Sequence, residues 1–125
     1  MRVLLDTHVL LWSLDEPERI GREAEMAFRN DITETVVSVV TLWEIAIKQA
    51  AGRLRAPQNM PERVRALGHE ILPVSAEHAW RVGALPMHHK DPFDRLLVAQ
   101  AMIEDLAIVT HDHAMPNYGV RIIRA

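Results

Sequence analysis

Short apolar runs alternate along the chain with longer segments of helical periodicity. The strand-like runs are RVLL, TVVS, EILPV, AIVT and VRII, all rich in branched aliphatic residues. The segments between them repeat apolar residues every three or four positions, which is typical of amphipathic helices. Parallel neighbouring strands need a crossover long enough to hold a helix. The alternation therefore predicts an α/β fold, a three-layer α/β/α sandwich with a four- or five-stranded parallel sheet.

Capping and turn residues set the expected limits of the helices. An apolar face of Ile20, Ala24, Ala27 and Phe28 predicts an amphipathic surface helix in the second segment. The predicted helices are THVLLWSL, ERIGREAEMAFRN, TLWEIAIKQAAGRL ending near Gly52, a short one from Pro61 to Leu67, AEHAWRVGAL after the capping Ser75, and a long one from Pro92 to about Asp105.

Length and composition limit the class of protein. The chain has 125 residues and no internal repeat, so we expect a single domain over residues 1–125. The lack of cysteine excludes thiolate zinc sites, cysteine nucleophiles and disulfides. The chain has no long apolar run, so we expect neither a signal peptide nor a membrane helix, and no contact with a membrane. We expect a cytoplasmic protein. A net charge of −3 argues against a module that coats nucleic acid, but less against a nuclease with an acidic centre.

Acidic residues recur where the predicted strands end. Asp6 closes the first strand, and Glu44 lies one turn into the helix after the second. Asp94 lies at the start of the helix before the fourth strand, and Asp112 follows that strand. Ligands of parallel α/β sheets bind beyond the carboxyl ends of the strands. We therefore expect these acids to meet on one rim of the sheet.

Each acid also has an ordinary structural explanation. Asp6 is placed to cap a helix, and Asp112 to start a turn. Thr41 and Glu44 match the T-x-x-E capping box. The DPFD segment at residues 91–94 resembles the N-cap and first turn of a helix. These explanations treat the acids separately and give no reason for four of them to share a rim.

Electrostatics links the acids to a cation. Four ionised carboxylates about 6 Å apart would repel one another by roughly 15 kcal/mol at an effective dielectric constant of about 20. That repulsion is comparable to the whole stability of a domain, about 5 to 15 kcal/mol. Oxygen ligands suit Mg²⁺ or Mn²⁺, which also activate water and polarise phosphate. The residues alone thus permit metal-dependent phosphodiester hydrolysis.

Four segments carry a family resemblance along nearly the whole chain. LLDTHVLLW, VSVVTLWEIAIK, HHKDPFDRLLVAQA and IVTHD resemble, in order, the motifs of PIN-domain ribonucleases, specifically the VapC-type toxins of bacterial toxin–antitoxin pairs. The resemblance implies a PIN fold, a homodimer and endonucleolytic cleavage of RNA by a water that Mg²⁺ or Mn²⁺ activates. It also implies products with 5′-phosphate and 3′-hydroxyl ends, and a cognate antitoxin that inserts into the active-site groove.

The resemblance assigns the catalytic and metal-binding roles to four acids. In motif order these are Asp6, Glu44, Asp94 and Asp112, of which the fourth is the less constant position in the family. The chain departs from the pattern at Met115, where many relatives carry an aromatic residue. This departure leaves the wall after Asp112 unassigned but not the acids.

Three residues are expected to support the acids. Thr7 resembles the small hydroxyl residue beside the first aspartate of the family, and Thr110 resembles the polar residue at the end of its fourth strand. Either side chain is a candidate to hydrogen-bond a carboxylate or a metal-bound water. Asp91 belongs to the DPFDR subgroup pattern and is interpreted as a helix cap that supports the site indirectly.

Basic and aromatic residues supply candidate contacts with RNA and with a partner subunit. Arg53 and Arg55, in the loop after the second-motif helix, are candidates to bind the RNA backbone, although solvation alone also explains them. Arg95 follows Asp94 and is a candidate to face phosphate, whereas Lys48 is placed to pair with Glu44. Core or dimer-interface positions are expected for Trp12, Trp43 and Trp80.

Histidines cluster near the acids without matching a zinc motif. Those at positions 88, 89, 111 and 113 are interpreted as solvated loop residues. His8 either approaches the site or is buried as a hydrogen-bonded core residue. The roles of His8, His88, His89, His111 and His113 stay open in the sequence.

Two other functions compete with the nuclease. A phospho-acceptor receiver domain has a similar length and binds Mg²⁺, but it needs an aspartate ending a middle strand and a lysine ending the last one. EILPV and VRIIRA lack these residues. A PIN-like domain that has lost catalysis and only binds partners is the second alternative, and the presence of all four acids argues against it.

Overall fold

Five strands form one parallel sheet in the computed structural model, which describes all of residues 1–125. In chain order they are β1 (Arg2–Leu5), β2 (Glu34–Ser38), β3 (Glu70–Leu72), β4 (Ala107–Thr110) and β5 (Ile122–Arg124). Their spatial order is β3-β2-β1-β4-β5, and every neighbouring pair is parallel. The predicted parallel sheet is therefore confirmed, with the larger of the two expected strand numbers.

Six α-helices cover the two faces of the sheet. They are α1 (Thr7–Asp15), α2 (Arg22–Arg29), α3 (Val39–Ala50), α4 (Met60–Ala66), α5 (Ala76–Arg81) and α6 (Pro92–Glu104). Short 3₁₀ turns span Pro17–Arg19, Val82–Ala84 and Met115–Tyr118. The helices are all too short, or too polar, to cross a membrane.

Alternation along the strands divides the core into two layers. Leu4 of β1 packs in one cluster with residues of α6, whereas Val3 and Leu5 pack in the other with residues of α1, α2 and α4. All four residues of β4 are buried, as expected for a parallel strand covered on both faces. The three-layer prediction is confirmed by this arrangement.

The predicted second helix is broken by Gly21. The segment forms a 3₁₀ turn, Pro17–Arg19, and then α2, with Gly21 as the N-cap. A β-carbon at Gly21 would lie 2.8 Å from the backbone carbonyl carbon of Ala125, so the close approach of the C-terminal residues requires a glycine there. The prediction of one continuous helix is therefore wrong, although the predicted apolar face does pack on the core.

Helix α3 begins two residues earlier than predicted. Ser38, at the end of β2, caps it by accepting a hydrogen bond from the Val40 N–H at 3.0 Å. Thr41 is consequently a buried residue inside the helix and not its cap. The capping-box explanation for Glu44 is wrong, because Glu44 lies in the second turn and faces the interior.

Other predicted limits agree closely with the structure. Ser75 caps α5, and Asp91 caps α6, which ends at Glu104 beside the predicted limit. β3 stops before Pro73, which cannot donate a ladder hydrogen bond.

Helix α5 gives way to a 3₁₀ turn after six residues, so AEHAWRVGAL is not one helix.

The order of the strands creates a switch point beside β1. The chain runs from β1 outward to β2 and β3, and later returns to place β4 on the other side of β1. The segments that leave β1 and β4 therefore diverge at their carboxyl ends, where α/β sheets form binding crevices. Asp6 follows β1 directly, and Thr110 ends β4 at this point.

Loss of the Ser38 hydroxyl is expected to destabilise the fold. This side chain caps α3, the helix that follows β2 directly and carries Glu44. Ser38→Ala should lower the free energy of unfolding by about 1 to 2 kcal/mol, measured by urea denaturation. Ser13→Ala is the control, since Ser13 only bonds the Leu10 carbonyl within α1 and alanine has the higher helix propensity. Equal stability of the two variants would contradict the role given to Ser38.

Candidate metal and catalytic site

Asp6 uses its two carboxylate oxygens for different contacts. Oδ1 accepts the Val9 N–H at 2.9 Å and so caps α1, while Oδ2 accepts a hydrogen bond from the Thr110 hydroxyl. The side chain is almost fully buried, and burial raises the pKa of Asp6 although both hydrogen bonds oppose the rise. The capping explanation is thus correct for one oxygen and leaves the other at the switch point.

Glu44 is held in the interior by contacts on both oxygens. Thr7 donates to Oε1 at 2.6 Å, and Lys48 forms an ion pair with Oε2 at 2.5 Å. Thr41 lies behind this group, with its hydroxyl 3.4 Å from that of Thr7. The predicted pair of Lys48 and Glu44 is confirmed, and it leaves Glu44 in one orientation.

Asp94 lies in the first turn of α6, three residues after the acidic cap Asp91. Asp91 caps the helix through Oδ1, which accepts the N–H groups of Phe93 at 2.8 Å and of Asp94 at 3.4 Å. Burial raises the pKa of Asp94 to about 7, and the charges of Asp91, Glu44 and Asp6 add to the rise while His89 opposes it. The predicted cap is confirmed, and Asp94 feels three neighbouring carboxylates.

Asp112 also combines a local turn with a contact across the site. Its Oδ1 accepts the Ala114 N–H at 2.7 Å, and its Oδ2 lies 2.8 Å from Nε2 of His89. The Asp112 N–H in turn donates to the Thr110 hydroxyl at 3.0 Å. Burial tends to raise the pKa of Asp112, but the Ala114 N–H and His89 outweigh it, so the net shift is downward.

His89 joins two of the acids and was misread as a solvated loop residue. Its Nε2 lies 2.8 Å from Oδ2 of Asp112 and 3.1 Å from Oδ2 of Asp94, and its side chain is only 17% exposed. One ligand atom from each of these three residues lies within 4.8 Å of the others. The only signal in the sequence was its place two residues before the cap Asp91.

Three of the four predicted acids line one open cleft at the switch point. The lining residues are Asp6, His8, Asp94, His111, Asp112, His113 and Ala114. Glu44 lies outside this lining, yet its charge still raises the pKa of Asp94. His8, His111 and His113 are exposed around the cleft, so the alternative of a buried core histidine at position 8 is wrong.

A second groove adjoins the cleft and carries positive charge. It is lined by His8, Leu11, Lys48, Arg53, Leu54, Lys90, Asp91, Pro92 and Phe93. His8 belongs to both linings, so the groove and the cleft share a wall. Arg55 is exposed in the same loop as Arg53 but does not line the groove.

Arg95 is buried and does not face phosphate. Its guanidinium donates to the carbonyl oxygens of Val82, Leu85 and Pro86 at 3.0 to 3.3 Å and to the Tyr118 hydroxyl at 3.3 Å. These contacts occupy both terminal nitrogens on the interior side of α6. The prediction of an RNA contact by Arg95 was therefore wrong.

The donor set around the cleft fits a hard divalent cation. Beside the imidazoles of His8, His111 and His113 it offers three carboxylates, and oxygen ligands are those that Mg²⁺ and Mn²⁺ prefer. Burial is the main reason that the pKa of Asp94 is raised, and neighbouring carboxylates add to the rise; a bound cation would favour the ionised form against both effects. Lys48 offsets part of the charge at Glu44 only.

Comparison with known proteins gives concordant results. The family model of the PIN domain matches residues 3–120. Ribonuclease VapC22 of Mycobacterium tuberculosis is 33% identical, and the match covers 93% of this chain and 91% of that protein. At this level of identity and coverage the relationship is one of family and not only of fold.

Solved structures share the same architecture. VapBC2 from Rickettsia felis, bound to a DNA fragment from its promoter, matches with a TM-score of 0.74 and 13% identity over 100% of this chain and 99% of that chain. DNA-bound VapBC from Salmonella typhimurium matches with a TM-score of 0.73 and 19% identity over 99% and 98%. The five-stranded sandwich is thus the PIN fold, and with the family match across nearly its whole length the chain belongs to the PIN-domain family, among the VapC ribonucleases.

Proposed function

We propose that this chain is a metal-dependent endoribonuclease and the toxin of a toxin–antitoxin pair, acting through a single domain over residues 1–125. The observation that carries the proposal is the meeting of Asp6, Asp94 and Asp112 on one cleft, with Glu44 within coulombic range. The 33% identity to a ribonuclease supports the same chemistry. A cytoplasmic location remains a prediction from the sequence.

The acids would hold Mg²⁺ or Mn²⁺ at the cleft. Asp6, Glu44 and Asp94 are the proposed principal ligands, and Asp112 assists. When bound, the cation supplies Lewis acidity that activates water and stabilises charge on the phosphate. Thr7, Thr110 and Lys48 keep their partner carboxylates in fixed orientations through the contacts described above. Hydrolysis is proposed to leave 5′-phosphate and 3′-hydroxyl ends.

The positive groove is the proposed path for the RNA backbone. Lys48, Arg53 and Lys90 line it beside the acidic cleft, which suits a phosphate chain leading toward the acids. Arg55 remains a peripheral candidate on the same loop. A cognate antitoxin is proposed to enter this groove, and the matched solved structures include VapBC complexes.

The exposed face of α3 is the proposed homodimer surface. All of its exposed residues are apolar, namely Val39, Trp43, Ala46, Ile47 and Ala50. Trp43 is 56% exposed and packs edge-on against Phe93 with ring centres 5.1 Å apart. An uncharged apolar face suits a second copy of itself, whereas the charged groove suits RNA or antitoxin.

The alternatives fare differently. Receiver domains order their strands 2-1-3-4-5, whereas this sheet has the order β3-β2-β1-β4-β5, so the receiver alternative is contradicted. A catalytically silent PIN module stays open, and the cleavage experiment decides between it and the nuclease.

Removal of a metal-binding carboxylate is expected to abolish cleavage. Asp6→Asn and Asp94→Asn should each reduce cleavage of total bacterial RNA in Mg²⁺ or Mn²⁺ by more than about 100-fold, and EDTA should do the same to the unmodified protein. Asp91→Asn is the control, because asparagine caps a helix as well as aspartate. Near-normal cleavage by either site variant, with circular dichroism showing a folded protein, would refute the assignment.

Metal affinity is expected to depend on pH through Asp94. Because the pKa of Asp94 is about 7 without metal, a cation must displace its proton below that pH. Mn²⁺ affinity measured by titration calorimetry should fall about tenfold from pH 8 to pH 6 and change little above pH 8. Asp94→Asn should bind Mn²⁺ weakly and lose most of this dependence, so an unchanged pH profile in that variant would contradict the role of Asp94.

A charge on the apolar face of α3 is expected to prevent dimer formation. Trp43→Glu should shift the protein from dimer to monomer in light scattering coupled to size-exclusion chromatography, because burying an unpaired carboxylate costs several kcal/mol. Met26→Glu on α2, where Met26 is 62% exposed, is the matched control. A monomeric unmodified protein would contradict the homodimer, and a dimer in Trp43→Glu would contradict this surface.

A further inference from the structure

We propose that His89 is a positioning residue of this site, which holds Asp94 and Asp112 through an Nε2–H donor and does not bind the metal itself. The effect of His89 on RNA cleavage rests on the proposed function. Its effect on the geometry of the two carboxylates is independent of that function.

The contacts of His89 connect two separate parts of the chain. Asp94 lies on α6 and Asp112 lies beyond β4, and His89 Nε2 reaches one oxygen of each, at 3.1 Å and 2.8 Å. The Nε2–H hydrogen-bonds Asp112 and makes a close polar contact with Oδ2 of Asp94, so the ring holds the two carboxylates in fixed directions relative to each other. Without this donor the two carboxylates would face each other across the cleft and repel.

The opposite ring nitrogen identifies His89 as a donor. The backbone N–H of Asp91 points at Nδ1 from 3.1 Å, so Nδ1 must carry a lone pair. The neutral ring therefore has its proton on Nε2, toward the acids. A doubly protonated ring would lose the lone pair that accepts the Asp91 N–H, and it too carries a proton on Nε2, so neither form offers a lone pair to a cation there.

This arrangement is the reverse of that in metal-binding histidines. A ligating imidazole usually donates its other N–H to a carboxylate or carbonyl, which leaves the coordinating nitrogen bare. His89 meets an N–H donor at that second position instead. Its nearness to Asp94 and Asp112 is therefore better explained by orientation of the carboxylates than by coordination.

A buried network holds the His89 backbone in place. The His89 N–H donates to the Tyr118 hydroxyl at 2.9 Å, and the same hydroxyl lies 3.3 Å from Nη1 of Arg95. Arg95 is anchored on the carbonyl oxygens of the 82–86 segment. The ring is consequently fixed by Tyr118 on its backbone, by Asp91 on Nδ1 and by the acids on Nε2.

The preceding histidine offers a matched comparison. His88 is exposed and packs against the Tyr118 ring with centres 5.0 Å apart, but it has no hydrogen bond to either acid. A change at His88 perturbs the same loop without removing the proposed donor. It therefore separates a general loop effect from the specific one.

The first test is the protonation pattern of the His89 ring, read by ¹⁵N NMR on the metal-free protein. Above the pH at which the ring titrates, Nε2 should be protonated and Nδ1 bare, and saturation with Mg²⁺ should leave this tautomer unchanged. A proton on Nδ1 of the neutral ring, or a switch to that tautomer when Mg²⁺ binds, would overturn the proposal. This test needs no variant and no RNA.

The second test compares donor and non-donor side chains at position 89. His89→Met should lower Mn²⁺ affinity by about 10- to 100-fold, as expected for loss of a residue that orients a ligand. His89→Gln, which restores an N–H donor, should recover most of that loss, and His88→Gln should match the unmodified protein. Mn²⁺ affinity in His89→Met equal to that of the unmodified protein would overturn the proposal.

Measurements of metal binding and of RNA cleavage distinguish failure of the proposed nuclease function from failure of the proposed role of His89. An unmodified protein that binds Mn²⁺ but cleaves no RNA would refute the proposed nuclease, while the NMR and calorimetry would still decide the role of His89. An active protein whose His89→Met variant binds Mn²⁺ and cleaves normally would refute only the positioning role.

Discussion

The crowding of four carboxylates at one edge of the sheet is the constraint on which the rest of the structure depends. Most of the contacts to these acids come from neutral donors, namely Thr7, Thr110 and backbone N–H groups. These donors orient the carboxylates but do not cancel their charge. Lys48 is the one lysine paired with an acid, and it serves Glu44 alone. At Asp94 burial raises the pKa to about 7, and the charges of Asp91, Glu44 and Asp6 add to the rise, so burial and repulsion together favour the protonated form of this side chain.

The carboxylates reach this edge by also serving as local structural groups. In Asp6 and Asp112 one oxygen accepts a backbone N–H, of Val9 and Ala114 respectively, while the other faces a partner across the site. The structural explanation and the functional one therefore do not compete at these positions. Capping fixes the side-chain torsion, and the fixed torsion aims the second oxygen, which is the preorganisation that a metal site needs.

The sequence predicted the features that depend on local pattern. The parallel sheet, the cap at Asp91 and the approach of the acids along one rim all follow from periodicity and strand ends. It failed where tertiary contacts decide. The T-x-x-E pattern competed with the true cap at Ser38, and the break at Gly21 reflects a neighbour at the far end of the chain. Arg95 was misplaced because successive helix residues point about 100° apart, so the neighbour of a cleft-facing Asp94 turns toward the core.

The separation of charge on the surface reconciles a net charge of −3 with the proposed binding of RNA. Arg53 and Lys90 lie along one groove together with Lys48, whose charge is partly offset by Glu44, and the acids lie in the cleft that shares His8 with it. Within a Debye length of about 8 to 10 Å, a phosphate backbone responds to this local groove more than to the total charge. A cation in the cleft would extend the positive path to the acids themselves. Metal binding and RNA binding are therefore expected to reinforce each other, since each supplies charge that the other requires.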